Sequence, residues 1–331
     1  PVVENAGLVQ VLADLCVVLL LFFVGLELSL DQLFSNRVGF ARAGAMDVGI
    51  SLPVGFALGL AFGFTWLEAA FIALIVFNSS TVSIAKSLID LELIANPESD
   101  EILGVIVIED ILTALGFAVL SVFLVGGAFS IAQSVLFLVV LLAAAYYGSG
   151  VLGRLFTTDS AELFLLGVGA VVAGAGLTVG VSEAVAAFLV GTAFGRTSHT
   201  ERLAVPVRDL FAAMFFLVVG LQTNPGVVAD VLGFVLVASV VTTSGQLGEW
   251  ILAGRAYGLD RHRSIRFGCA LTPRGEFSLV IAAFLATAGT TPRFLETIPA
   301  FTVRYVLVTS ILGTILVRSA DSVSTLLFCR R

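Results

Sequence analysis

Residues 105–112 read Val-Ile-Val-Ile-Glu-Asp-Ile-Leu, which sets Glu109 and Asp110 side by side in a stretch that is otherwise apolar from Ile102 to Val125. That stretch is long enough to cross a bilayer, and an ionisable residue near its centre costs about 2.5–3.5 kcal/mol on insertion scales. A carboxylate pair is not kept in such a place for stability alone. The chemistry open to a carboxyl group there is simple: it holds a proton or, once deprotonated, a hard cation whose remaining ligands are other oxygens. Apolar surroundings disfavour the charged form of a carboxyl group and bring its proton exchange toward the working pH. Thr81, Ser80 or backbone carbonyls are the oxygens at hand to complete a shell around Asp110. Proton and cation cannot both bind at once. A carrier that moves with either, but not with both and not empty, exchanges one for the other. The competing reading makes Asp110 a buried carboxyl group satisfied by hydroxyls and helix ends.

The elements that would position these residues follow from composition. The chain has 331 residues, of which 58% are hydrophobic and only 12% charged; its mean hydropathy is +1.08. This is far outside soluble composition and describes an all-α polytopic membrane protein. Period-two strands of an outer-membrane barrel are absent, because the apolar runs are continuous. About eleven such runs are present. They are Leu8–Leu28, Phe40–Phe64, Leu67–Leu88, Ile102–Val125, Ile131–Leu152, Leu163–Val179, Ala184–Phe194, Leu210–Leu221, Val227–Leu252, Ile265–Ala288 and Ile298–Val317. Cys16, Cys269 and Cys329 stand at no metal or redox spacing and read as small core residues. Pro1 leads almost at once into an apolar run, so the expectation is an incomplete N-terminus with helices preceding it.

Basic residues set the orientation, since cytoplasmic loops are enriched in them. When successive loops are assigned to alternate sides, Arg37, Arg42, Lys86, Arg154, Arg196, Arg202, Arg208, the Arg255–Arg266 cluster, Arg318, Arg330 and Arg331 share one side. The other side has Arg293, while Arg274 and Arg304 lie in or at the edge of segments. The C-terminus is therefore expected in the cytoplasm. The excess of 24 Asp and Glu over 17 Lys and Arg, with Lys86 the single lysine, reads as a high-salt source or equally as a GC-rich genome, and no nucleic-acid partner is expected.

An internal repeat is also legible. Phe22-Phe23-Val24-Gly25-Leu26-Glu27 resembles Phe215-Phe216-Leu217-Val218-Val219-Gly220-Leu221-Gln222, with the glycines 195 residues apart. The same offset sets Asn78-Ser79-Ser80 on Pro273-Arg274-Gly275, the two places where an apolar helix is interrupted midway. Hydroxyls at Ser79, Ser80, Thr81 and Ser83 compete for backbone hydrogen bonds, Pro273 removes a donor, and Gly275 loosens the turn. Partners an odd number of segments apart run in opposite directions. The expectation is an inverted repeat whose broken helices cross near the midplane and whose helix ends bind ions. The domain reading is one transmembrane transport unit over residues 1–331: a first-repeat remnant 1–127, a linking helix 128–155, a second repeat 156–320 and a cytoplasmic tail 321–331.

These residues resemble the cation:proton antiporter superfamily, in its branch of bacterial and archaeal sodium-proton and potassium-proton exchangers (monovalent cation:proton antiporter-2 type). The resemblance is carried by Phe23–Glu27, the Ser79–Ser83 break, Leu93-Ile94-Ala95-Asn96-Pro97 followed by Gly104–Asp110, and Ser182-Glu183-Ala184 running into Ala187–Gly191. Phe216–Gln222 and Pro273-Arg274-Gly275-Glu276 complete it, in the family's order along essentially the whole chain. It implies the inverted-repeat antiporter fold with two crossed discontinuous helices, about eleven segments here and about thirteen in a full protein. It further implies a core moving against a dimerisation scaffold, hence a homodimer in the cytoplasmic membrane, with Na⁺ or K⁺ and H⁺ as substrates. The family's ion-binding aspartate falls on Asp110 and its variable preceding position on Glu109. In relatives with two adjacent carboxylates a lysine pairs with the preceding one; Gln246 stands there in this chain, so that lysine-carboxylate mechanism does not transfer. Relatives of the potassium branch work with a cytoplasmic nucleotide-binding regulatory domain, either continuous or separate. No cofactor, no resident metal and no enzymatic activity is expected.

The ion-site candidates are thus Asp110 and Glu109, with Thr81 and Ser80 beside them. Glu109 lies about 100° around the helix from Asp110 and reads either as a second titrating group or as a structural partner of an arginine. Asn78, Ser79, Arg274, Glu276 and Arg304 form the candidate helix-break and charge network, read as ion pairing at helix ends or, alternatively, as substrate selection. Glu183 reads as a helix cap. Asp14, Asp47 and Glu249 lie inside apolar runs, facing a cavity or a subunit interface. His199 and His262 read as solvated loop residues. A sodium-coupled solute symporter of similar crossed-helix plan and a non-transporting sensor or channel subunit are the alternative functions.

Overall fold

The computed structural model describes residues 37–90, 97–125, 227–256 and 259–320, with isolated positions at 18, 19, 22, 167, 187, 191, 214 and 322. Apart from those isolated positions, the first and the fifth to eighth apolar segments lie outside these residues, as do the linking helix, Asp14, Glu183, His199 and the Phe23–Glu27 and Phe216–Gln222 motifs. Two compact units are formed. One comprises Pro1–Asp31, Phe117–Asn224 and Ala286–Thr290; the other comprises Gln32–Gly116, Pro225–Leu285 and Thr291–Arg331. The second unit holds every residue of the candidate site.

The described elements are all helical. They run α1 (Arg37–Ala61), α2 (Trp66–Phe77), α3 (Thr81–Asp90), α4 (Pro97–Val125), α5 (Val227–Ala256), α6 (Arg261–Ala270), α7 (Glu276–Ala288), a π-helical turn (Arg293–Thr297) and α8 (Ile298–Arg318). Among the described residues, four helical windows are long and apolar enough to span a bilayer: Gly44–Ala61, Gly104–Ser121, Val231–Leu252 and Arg293–Arg318. Their outward rows are apolar too. Leu232, Leu236 and Val240, and likewise Leu307, Ile311 and Ile315, are exposed at a spacing of four, as a bilayer-facing helix requires.

Helix ends differ from the apolar runs for local reasons. The second run extends to Phe64, but α1 stops at Ala61 because Gly63 takes a φ of 78°, a left-handed conformation that only glycine adopts freely. The turn then feeds α2 through a capping box. Thr65 Oγ1 accepts from the Glu68 backbone N–H, and Glu68 Oε2 accepts from the Thr65 backbone N–H at 2.8 Å. The fourth run starts at Ile102, whereas α4 starts five residues earlier at Pro97, a residue suited to the first helical position. Close α1–α2 packing depends on small residues: a Cβ built on Gly59 would lie 2.7 Å from the Cα of Ala69.

The third and tenth apolar runs are each two helices, as their sequences predict. Between α2 and α3, Asn78-Ser79-Ser80 leaves the helix; between α6 and α7, Leu271–Gly275 does the same. The two interruptions pair through an antiparallel bridge between Ser79 and Arg274. Ser80 N–H donates to the Pro273 carbonyl at 2.8 Å, and Gly275 N–H donates to the Asn78 carbonyl at 3.1 Å. Backbone groups freed by each break are thereby satisfied by the other, which a bilayer interior demands. Beneath the breaks, Ile84 and Leu88 of α3, Ile102, Val105 and Ile106 of α4, Trp250 of α5 and Phe267 of α6 form one buried cluster. The Trp250 and Phe267 rings stack with centroids 3.9 Å apart.

Candidate ion-binding site

The break between α2 and α3 and the middle of α4 build the candidate site. Asn78 leaves α2 in an extended conformation, which frees its side chain to reach α4. Asn78 Nδ2 donates to Asp110 Oδ1 at 2.7 Å, and Thr81 Oγ1 donates to Asp110 Oδ2 at 3.1 Å. Thr81 is the first residue of α3, so the carboxyl group of Asp110 sits at a helix N-terminus, where the dipole favours negative charge. Asp110 is only half-buried, whereas Glu109 is wholly buried.

The neighbouring carboxylates therefore have different partners. Glu109 Oε2 accepts the backbone N–H of Ser79 at 2.6 Å, a donor released by the break. Ser80 uses its hydroxyl as the cap of α3, accepting from the Ser83 N–H at 3.2 Å and pairing with the Ser83 hydroxyl at 2.9 Å. Its backbone also joins the break through Pro273. Ser79 Oγ donates to the Leu271 carbonyl at 3.1 Å, at the C-terminal end of α6.

Arg274 is 2% exposed and donates from Nη1 to the Phe77 carbonyl at 2.9 Å. Phe77 ends α2, so the guanidinium sits on the negative end of that half-helix and Ser278 Oγ caps the Ile75 carbonyl beside it at 2.7 Å. Glu276 opens α7, but its side chain lies outside the described residues. Arg304 donates to the Ala300 carbonyl at 2.6 Å, one turn back on its own helix. Tyr305, its neighbour, pairs its hydroxyl with Thr242 of α5 at 2.8 Å. His262 is exposed, and Cys269 is buried with a free thiol.

Two groupings were not legible from spacing. Asp47 of α1 meets Gln246 and Glu249 of α5 through Ser51. Gln246, where the resemblance leads one to look for a lysine, reaches Asp47 Oδ1 at 3.4 Å and accepts from Trp250 Nε1 at 3.1 Å. At the far end of α2, buried Glu68 pairs with Arg293 at 3.4 Å; the sequence signal was the Thr65-Trp66-Leu67-Glu68 capping pattern.

A half-buried carboxyl group thus stands at a paired break between helices of an all-α membrane protein. Residues 2–320 match the family described as sodium/hydrogen exchanger, transmembrane. The chain belongs to that family, a family of cation:proton antiporters and not of enzymes. It is 31% identical to the K(+)/H(+) antiporter subunit KhtU of Bacillus subtilis, over 98% of this chain and 82% of that one. It is 32% identical to the ammonium/H(+) antiporter subunit AmhT of Alkalihalophilus pseudofirmus, over 97% and 84% respectively. Its fold is similar to that of the sodium proton antiporter MjNhaP1 from Methanocaldococcus jannaschii, with a TM-score of 0.65, 15% identity and coverage of 95% of this chain and 84% of that one. The protein is accordingly a multi-pass membrane protein of the antiporter class.

Proposed function

We propose that the protein exchanges H⁺ for Na⁺ or K⁺ across the cytoplasmic membrane by alternating access, with Asp110 binding proton and cation in competition. The observation that carries this is the setting of Asp110: half-buried at the N-terminal end of α3, its two oxygens oriented by Asn78 and Thr81. A deprotonated carboxylate offers its oxygens to a cation, and the Thr81 hydroxyl, which meets Asp110 Oδ2, would join the shell together with Ser80, its neighbour in sequence. Protonation at the same oxygens removes the charge that holds the cation. Glu109 is left out of that shell, because it is wholly buried and its Oε2 accepts the Ser79 N–H. The names of the relatives, which include K⁺/H⁺ and Na⁺/H⁺ antiporters, support the substrate class.

The finer architecture is proposed with it: the inverted-repeat antiporter fold with two crossed discontinuous helices, about thirteen segments in a full protein, working as a homodimer with its C-terminus in the cytoplasm. The hydrogen bonds at the breaks support the repeat. With an offset of 195, Asn78 corresponds to Pro273 and Ser80 to Gly275, so the bonds Ser80 to Pro273 and Gly275 to Asn78 are the same contact made twice in reciprocal sense. Such reciprocity is the mark of a two-fold relation. Ser51 and Gln246, also 195 apart, touch each other as well.

The test is dissipation of an imposed ΔpH in proteoliposomes on addition of Na⁺, K⁺ or Li⁺. The wild type is expected to respond to at least one of these and Asp110→Asn to none; normal exchange by the variant would refute the assignment. A response that required an organic solute would favour a symporter.

A further inference from the structure

A second set of carboxyl groups lies between α1 and α5. Ser51 Oγ donates to Asp47 Oδ1 at 2.7 Å and lies 3.4 Å from Glu249 Oε2. Gln246 Nε2 is 3.4 Å from both Asp47 Oδ1 and Ser51 Oγ. Asp47 is 0% and Glu249 2% exposed. Both keep an oxygen with no hydrogen-bond donor, Oδ2 of Asp47 and Oε1 of Glu249. Arg274 Nε is likewise buried without an acceptor, and Arg274 lines a small cavity together with Ser51, Thr242 and Gln246.

The charges facing this cluster can be counted. Glu109 on α4 interacts electrostatically with Asp47 and also keeps an oxygen, Oε1, with no hydrogen-bond donor; Asp110 is next to it in sequence. Arg274, at the break, faces Asp47, Glu109 and Glu249. Tyr305 on α8 faces Arg274 and is hydrogen-bonded to Thr242. One guanidinium, already engaged at the Phe77 carbonyl, offsets at most one of the buried carboxylates. Ionised carboxylates only accept hydrogen bonds, whereas a carboxylic acid donates one. Protonating the cluster therefore cancels the excess charge and supplies the donors that its orphaned oxygens lack.

We infer that Asp47 and Glu249 form a second proton-binding site, separate from Asp110, framed by Ser51 and Gln246. Its ligand is a proton held as a carboxylic O–H, with no cation involved. The inference does not depend on what Asp110 transports, because the protons are counted without transport.

The experiment titrates the purified full chain with Asp110→Asn in place, between about pH 6 and about pH 9, following proton uptake and the infrared band of protonated carboxyl groups. The Asp110→Asn protein is expected to take up at least one proton that is lost when Asp47→Asn and Glu249→Gln are added, and the uptake is expected to be the same with and without Na⁺ or K⁺. Equal uptake by both proteins, or displacement of the proton by either cation, would overturn the inference. If the combined variant does not fold, each near-isosteric single substitution serves alone. A protonated-carboxyl band unchanged in both singles would equally overturn it.

Discussion

Ser79 and Arg274 face each other across an antiparallel bridge between two interrupted helices, 195 positions apart in the chain. Neither residue is assigned to the ion shell. Ser79 anchors Glu109 through its N–H, and Arg274 sits on the last carbonyl of α2. Together they hold the break in the shape that brings Asn78 and Thr81 onto Asp110.

Gly275 lets the two breaks approach. A Cβ there would lie 2.6 Å from the Ser79 carbonyl oxygen and closer still to Asn78 Oδ1. Gly275→Ala is therefore expected to push Asn78 away from Asp110, destabilising the protein by about 1–3 kcal/mol and reducing exchange. The thermal unfolding midpoint and proteoliposome flux measure both; a variant matching wild type in each would show that the breaks have slack.

Substitutions at Glu109 separate anchoring from ion binding. Glu109→Gln keeps an oxygen to accept the Ser79 N–H, so assembly and cation-dependent exchange are expected to persist. Glu109→Ala leaves that N–H buried and unpaired, at a cost of about 1–3 kcal/mol. If Glu109→Gln abolished exchange while leaving the unfolding midpoint unchanged, Glu109 would belong to the ion site.

Thr81 donates to Asp110 Oδ2 and is proposed to join the cation shell. Thr81→Val keeps the shape and removes the hydroxyl. The apparent cation affinity is expected to fall roughly ten-fold, equivalent to about 1.4 kcal/mol, with a smaller change in maximal rate. A pure rate loss at unaltered affinity would contradict the role.

At the exposed start of α6, Asp260 accepts the Arg263 N–H at 2.8 Å, and this bond, ahead of the Arg263 charge, holds its carboxyl below the usual carboxylate range. A lowered folded-state value means the stabilisation is present at neutral pH and down to the unfolded value near about 3.9, then lost as pH falls through the folded value. Asp260→Ala is expected to cost at most about 1 kcal/mol at neutral pH, a difference that shrinks on acidification. A difference independent of pH would show that the cap acts through something other than its charge.

Much of the fold was legible in the chain because the informative residues are local. Asn78-Ser79-Ser80 and Pro273-Arg274-Gly275 announce broken helices by their own backbone preferences, and a shared offset of 195 ties them together. A Glu-Asp pair in an apolar run draws attention by the cost of placing it there. The meeting of Asp47 with Glu249 was hidden, because Ser51 and Glu249 are 198 positions apart and an all-round apolar helix gives no periodicity to say which face meets which neighbour. Glu109 and Asp110 are adjacent in sequence, and helix geometry already sets them on different faces. In the fold a step of about 100° around α4 sends one to the Ser79 N–H and the other to Asn78 and Thr81.

The most direct test is proton release from the purified protein on cation binding, in unbuffered detergent solution near neutral pH. Competition at one carboxylate requires, by linkage, up to about one proton released for each Na⁺ or K⁺ bound and a cation affinity that rises with pH, both lost in Asp110→Asn. Cation binding without proton release, or release that survives Asp110→Asn, would contradict the assignment of Asp110 as the shared site.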